Sequence, residues 1–344
     1  MRKKYIHLLI GLVFIALSLF YAFRGVSITE LKEAFMSLRY VYLLPALFLV
    51  ALSYLLRAMR WRYLVRSIKD VKTTRLFSPL MIGFMGNMLP ARAGEFIRAY
   101  LLGKKEHISF SSSFATIFIE RLFDMVLVLS LLFWVLLFRS EVFASGTAGE
   151  NHKLMGYMIK FAWVSLAGCM FIFMFSALLQ YRNNLAMKIV NVFIRPLPLK
   201  WGEKIIGLVH SFTEGLKIIK DTRGFLATIF LSFLIWTTFV TTYYPIYMAF
   251  GIENQLPVFS LIILALTVAI FITLFPTPGF LGSFQAACVV ALHEIFEIPK
   301  AIAASYGIVT WILLMGFTVI IGAIFAIKEN ISFGEFSAER EQTK

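Results

Sequence analysis

The chain alternates long apolar runs with short polar joints, most of them basic. Candidate membrane-crossing helices lie at 5–23, 40–58, 110–138, 155–179, 224–250 and 301–327. Each is close to the roughly 20 residues needed to cross about 30 Å of hydrocarbon. Two further apolar regions are interrupted. The first, 76–102, breaks from Pro90 to Gly94; the second, 257–297, breaks at Pro276, Thr277, Pro278 and Gly279, with Gly282 close behind. Proline lacks a backbone donor and crowds the preceding turn, so each region is predicted to be two helices joined by a break. Past Arg182 the pattern changes again. Ile205, Leu208, Val209, Phe212, Leu216 and Ile219 recur at helical spacing, with Lys204, Lys217 and Lys220 on other faces. That pattern predicts an amphipathic helix within 183–220, lying on the membrane surface.

Composition agrees with this reading. The chain is 60% hydrophobic and 15% charged, whereas ordinary soluble domains carry about 25% charged residues. The net charge of +14 is uneven, because 29 of the 33 Lys and Arg precede residue 224. These residues cluster at the ends of apolar runs, as in cytoplasmic loops beside anionic lipid, so no nucleic-acid partner is expected. Arg2, Lys3 and Lys4 place the N-terminus in the cytoplasm, and the basic run from Arg57 to Arg75 places the end of the second span there. Lys104 and Lys105 return the first interrupted region to the same side. The loop from Arg139 to Asn151 falls outside, 182–223 inside, and the C-terminus from Lys328 inside. The region 257–297 then starts and ends outside. Two full crossings would satisfy the same count, so charge leaves this alternative open beside the re-entrant one. The first apolar run is read as a retained helix, since no small-x-small cleavage site precedes Arg24.

The expected fold is therefore an all-α polytopic membrane protein, with about six full transmembrane helices and two broken re-entrant hairpins forming an inverted repeat. It is read as one domain over 1–330, with halves 1–180 and 224–330 joined by 183–220, and a polar tail at 331–344. Cys169 and Cys288 are too few and too far apart for a disulfide framework or a metal motif. The sequence has no phosphate-binding G-x-x-x-x-G-K-[ST] loop, no G-x-S-x-G and no H-E-x-x-H. No cofactor and no metal are expected.

Charge inside the apolar runs carries the candidate chemistry. In Asn87–Arg98 (NMLPARAGEFIR), Arg92, Glu95 and Arg98 are spaced i, i+3, i+6 and share one face of a helix starting near Ala91. Glu95 could then pair with either arginine. Free N–H groups at a new helix start suit a phosphate oxygen, and arginine adds a planar fork. The competing reading is a solvated interfacial turn. Glu120, Arg121 and Asp124 lie ten or more residues inside the span 110–138, where unpaired charge is expensive. They read either as a ligand site or as an internal ion-pair network against Arg92 or Arg98. Arg57, Arg60 and Trp61 read first as ordinary helix-end anchors; with Asn87 and Gln285 they are second-rank site candidates. His293, Glu294 and Glu297 lack the converging ligands of a metal site and read as surface residues.

At these residues the chain resembles the lysylphosphatidylglycerol synthase transmembrane, or flippase-like, family of prokaryotic membrane proteins. The resemblance rests on Arg57, Arg60 and Trp61, on LPARAGE (Leu89 to Glu95), on Glu120-Arg121 with Asp124, and on the late PTPG break. It implies translocation of lipids, such as aminoacylated phosphatidylglycerol, between leaflets of a prokaryotic cytoplasmic membrane. In some relatives a C-terminal soluble domain makes the aminoacyl lipid; this chain stops at Lys344 without one, so lysyltransferase activity is not expected. Relatives commonly read P-x-P-G-G-x-G followed shortly by glutamate. Here Phe280 replaces the second glycine and Gln285 stands where the acid would fall.

Taken together, the expectation is ATP-independent flipping of a phospholipid or lipid-linked headgroup by a protein that is not an enzyme. Arg92, Arg98 and Arg121 would hold the phosphate, and Glu95, Glu120 and Asp124 would orient them or meet a cationic headgroup. Two alternatives stand beside it. One is an intramembrane enzyme using Glu120 or Asp124 as base on a lipid phosphate; the other is a non-transporting scaffold for a lipid-modifying synthase.

Overall fold

A computed structural model describes residues 2–88, 93–138, 221–275 and 277–331, with scattered positions between 163 and 217. Among the described residues the chain is all helical. The helices are α1 (Arg2–Phe23), α2 (Ile28–Met36), α3 (Leu43–Arg66), α4 (Thr73–Gly86), α5 (Gly94–Glu106) and α6 (Phe110–Phe138), then α7 (Thr222–Phe250), α8 (Ser260–Leu274), α9 (Ser283–Val289) and α10 (Lys300–Lys328). A π turn, Val290–Ile295, extends α9.

Four helical stretches are long and apolar enough to span a bilayer: Tyr40–Arg66, α6, α7 and α10. A fifth span results if α1 and α2 are one broken crossing, bent by 78°. The bend is fixed by a reciprocal cap. Ser27 Oγ accepts from the Glu30 backbone N–H at 3.2 Å, and the Glu30 carboxylate accepts from the Ser27 N–H at 2.8 Å. The expected span 155–179 lies partly outside the described residues, the amphipathic segment 183–220 mostly so, and tail residues 332–344 entirely.

Both interrupted regions are antiparallel helical hairpins. In the first, Lys105 Nζ donates to Ser78 Oγ at the open end, and near the tip Gly94 N–H donates to Asn87 Oδ1 at 3.2 Å. Asn87 thereby caps α5 from across the break. A Cβ on Gly94 would collide with the Gly83 carbonyl and come within 2.5 Å of Asn87 Oδ1, so only glycine lets the two backbones approach this closely. In the second, the rings of Phe259 and Phe296 meet at the open end with centroids 6.2 Å apart. At the tip, Thr277 and Ser283 share a hydroxyl bond of 3.0 Å. With 14, 13 and 15 residues respectively, α4, α5 and α8 are each shorter than a crossing requires. Pro90 and Pro276, expected at the two breaks, lie outside the described residues.

Helix α10 runs past both hairpins. Gly307 packs against Gln285 and Cys288, and Trp311 donates to the Gly279 carbonyl at 2.8 Å. Further along, Gly322 lies against Met81 and Met85, and Glu329 meets Ser78 and Lys105. The first hairpin therefore opens toward the end of α10 and the second toward its beginning. Their tips meet between, with Met88 Sδ 3.1 Å from where a Cβ on Gly279 would stand.

The second tip holds an unfavourable backbone. Gly279 and Phe280 both take left-handed φ, 61° and 59°. A left-handed non-glycine residue costs about 1–2 kcal/mol, which the buried Phe280 ring offsets by its packing.

One expected boundary moves. Helix α3 does not end near residue 58; it continues to Arg66. Arg57, Arg60 and Trp61 are thus well inside the helix, and the helix-end anchor reading fails. Trp61 and Arg60 are completely buried.

Candidate functional site

The charges gather at one place, where α3, α5, α6 and α7 meet beside the first hairpin. Arg60 on α3 forks onto Asp124, Nη1–Oδ1 at 2.7 Å and Nη2–Oδ2 at 3.2 Å. It also reaches Glu120 at 3.1 Å and donates to Ser232 Oγ at 2.9 Å. Arg98 on α5 forks onto Glu120 at 2.7 and 3.1 Å. Arg121 contacts Glu120 at 2.8 Å, Asp124 at 3.2 Å and Glu95 at 3.5 Å. Glu120 is therefore bound by three guanidinium groups. Bidentate arginine–carboxylate geometry is the strongest neutralising contact a side chain offers, and at this depth that neutralisation decides whether the charges can be present at all.

Aromatic groups complete the shell. The Arg98 guanidinium lies 3.7 Å from the Trp61 ring centroid, within cation–π range. Trp61 Nε1 is itself fixed by Thr116 Oγ1 at 3.0 Å. Trp236 Nε1 donates to Asp124 Oδ1 at 3.4 Å. Ser232 and Trp236 are site residues that the sequence reading missed. Their signal was faint: a serine, then a tryptophan one turn later, inside the apolar run of α7.

The network is graded in exposure. Arg60 and Glu120 are fully buried, whereas the side chains of Arg121 and Glu95 are 35% and 42% exposed. The open end faces a small, half-open cleft lined by Gly83, Phe84, Asn87, Gly94, Glu95, Arg98 and Arg121. Among these paired groups charge is balanced, with Arg60, Arg98 and Arg121 facing Glu95, Glu120 and Asp124. The Nε atoms of Arg60 and Arg98 are buried without a hydrogen-bond partner among the described residues.

Of the expected cluster, the structure brings together Glu95, Arg98, Glu120, Arg121 and Asp124, adds Arg60, and places Asn87 and Gly94 in the cleft wall. Arg92 lies outside the described residues. Glu95 pairs with Arg121 and not with Arg98, because Arg98 turns toward α6. Gln285 is buried in the other hairpin, where its Oε1 accepts the Gly282 N–H at 2.7 Å and holds the turn. Gly282 (φ 84°) sits there against Ile15 and Ser18 of α1, and Pro278 opens the turn. Glu294 accepts from Tyr21 at 3.2 Å, and His293 Nδ1 bonds the Ile298 carbonyl oxygen at 2.9 Å. Among the described residues no cluster of metal-ligating side chains occurs.

Fold and site together define a multi-pass membrane protein with a buried ionic network beside paired helical hairpins. The chain belongs to the lysylphosphatidylglycerol synthase TM region family, whose pattern matches residues 8–322. It is similar to a UPF0104 membrane protein of Methanothermobacter thermautotrophicus, 26% identical over 80% of this chain and 82% of that one. A UPF0104 membrane protein of Pyrococcus horikoshii is 21% identical over 95% of this chain and 98% of its own length. A glycosyltransferase of Haloferax volcanii, AglD, is 23% identical over 81% of this chain, which spans about half (47%) of that relative's length. No solved structure matches the chain.

Proposed function

We propose that this protein moves a phosphate-bearing lipid headgroup between leaflets of a prokaryotic cytoplasmic membrane without ATP. The observation that carries the reading is the gradient of the ionic network, from sealed at Arg60–Glu120 to open at Arg121–Glu95 on the hairpin cleft. A headgroup entering that cleft meets arginine forks and carboxylates in place of hydrocarbon, while its acyl chains stay in lipid. The hairpin geometry supports the same reading. Two hairpins that open toward opposite ends of α10 and touch at Met88 and Gly279 would each reach about half-way into the bilayer. This favours re-entrant hairpins over two full crossings. With the charge count it also favours an inverted repeat of six spans with both termini cytoplasmic.

Base catalysis on the lipid is the weaker reading. Glu120 is saturated by three arginines and Asp124 by two, so neither carboxylate is free to take a proton. Similarity to a glycosyltransferase about twice as long favours a lipid-modifying partner enzyme that would supply or consume the translocated lipid.

The test is reconstitution into liposomes carrying a fluorescent phosphatidylglycerol in both leaflets, followed by a membrane-impermeant quencher. The expected result is quenching of the inner-leaflet pool by wild type, and loss of that activity in Glu95→Gln. An inner pool that stays protected with wild-type protein overturns the proposal.

A further inference from the structure

We propose that Arg57, a cation of α3 that the ionic network leaves unmatched, is the residue that holds the phosphate of the entering lipid; this rests on the translocation reading above. The arginines that pattern alone would choose are already occupied. Arg60, Arg98 and Arg121 are matched against Glu95, Glu120 and Asp124, and their forks point into those carboxylates. A lipid phosphate would have to displace an internal carboxylate to use them. Arg57 has no carboxylate within salt-bridge distance among the described residues. Its contact is the ring of Phe84, 5.5 Å from the guanidinium, and Phe84 is a wall of the cleft.

Depth makes this arrangement informative. Arg57 lies nine residues before the end of α3 at Arg66, roughly 13 Å along the helix axis. A cation there cannot rest in bulk water as a helix-end anchor does. It stands one turn before Arg60 and Trp61, and within electrostatic range of Asp124, Arg60 and Arg121. Counting Arg57, the described cluster has four arginines and three acids, one negative charge short of neutrality. A half-buried, unmatched cation of that kind calls for an anion. A phosphodiester brings one negative charge and acceptor oxygens for a planar fork, and the cleft that would admit it is walled by Phe84, the ring Arg57 contacts. The network arginines then act as positioning residues. They fix α3, α5 and α6 so that Arg57 and the cleft stay in register.

The role separates Arg57 from a structural arginine in two readouts. The full-length protein in phosphate-free detergent is titrated with dihexanoyl phosphatidylglycerol, with dihexanoylglycerol as the phosphate-free control and with inorganic phosphate. Ligand-free melting temperatures are measured alongside. Wild type is expected to bind the phosphatidylglycerol saturably and the diacylglycerol not at all. Arg57→Gln should weaken binding at least about tenfold, equivalent to about 1.4 kcal/mol, with Arg57→Lys between the two. Without ligand, Arg57→Gln should melt no lower than wild type, because it removes an unmatched charge. Wild-type affinity in Arg57→Gln overturns the inference, and so does a clearly lowered melting temperature or failure to fold, either of which would make Arg57 structural. Inorganic phosphate binding as tightly as the lipid probe overturns the assignment to a lipid. If wild type binds the probe through Arg57 but flips nothing in liposomes, the translocation reading fails and the phosphate site stands. If wild type flips lipid while Arg57→Gln binds normally, only the phosphate site fails.

Discussion

Arg98 lies over the Trp61 ring within the ionic cluster: the guanidinium sits 3.7 Å from the indole centroid while its two Nη atoms grip Glu120. One side chain of α3 thus orients a cation of α5 toward a carboxylate of α6. The predictions below follow from contacts of this kind, which tie sequence-distant helices together in a medium with no water to replace them.

Removing one member of a buried pair should cost more than removing both. Asp124→Ala removes the carboxylate that Arg60 grips bidentately and that Arg121 also meets, leaving both to share Glu120, and should destabilise by about 3–5 kcal/mol. The double substitution Arg60→Met with Asp124→Leu should recover much of that loss. Thermal unfolding of the detergent-purified proteins checks this; equal losses in single and double variants would show that packing and not charge sets the cost.

Glu95 and Glu120 should separate transport from stability. Glu120→Gln weakens the hold on three arginines at once and should lower expression and melting temperature. Glu95→Gln sits at the exposed end, where a single ion pair contributes about 0–1 kcal/mol. It should melt like wild type while changing flipping rate. Equal melting temperatures for the two variants would contradict the gradient in burial.

Two glycines of α10 should respond oppositely to alanine. At Gly322 a Cβ would lie 2.6 Å from Met85 Cβ and 2.9 Å from the Met81 carbonyl, so Gly322→Ala should destabilise by about 1–3 kcal/mol through overpacking. At Gly316 a Cβ would meet nothing within 4 Å among the described residues, and Gly316→Ala should stabilise the helix by up to about 1 kcal/mol. Melting curves of the two variants decide the matter, and a common sign would refute the packing assigned to α4 and α10.

The left-handed tip should favour packing over backbone comfort. Phe280→Gly relieves about 1–2 kcal/mol of backbone strain but removes a buried ring, a loss nearer about 3–5 kcal/mol. A net loss is expected in thermal unfolding. A more stable glycine variant would mean that the ring contributes little to holding the tip.

Much of the architecture was legible from the residues. Apolar runs long enough for hydrocarbon announce themselves, because backbone polar groups in lipid must be satisfied within a helix. Proline and glycine inside such runs mark Pro278, Gly279 and Gly94 as places where a helix stops or starts. Charge at depth singled out Glu120, Arg121 and Asp124 for the same solvation reason. The pairing was less legible. Glu95 was matched to the arginines nearest along its own helix face, yet it meets Arg121 of α6.

What the sequence determined by itself was therefore the class of protein, the two broken hairpins and the identity of most buried charges, all consequences of one-dimensional hydropathy and local backbone chemistry. Only the tertiary structure decided that α3 continues to Arg66 and carries Arg57, Arg60 and Trp61 into the interior. It also decided that Ser232 and Trp236 join the network, and that Met88 meets Gly279. Those outcomes depend on how helices rotate and slide against one another. That rotation is set by summed packing between residues far apart in the chain, which no local pattern encodes.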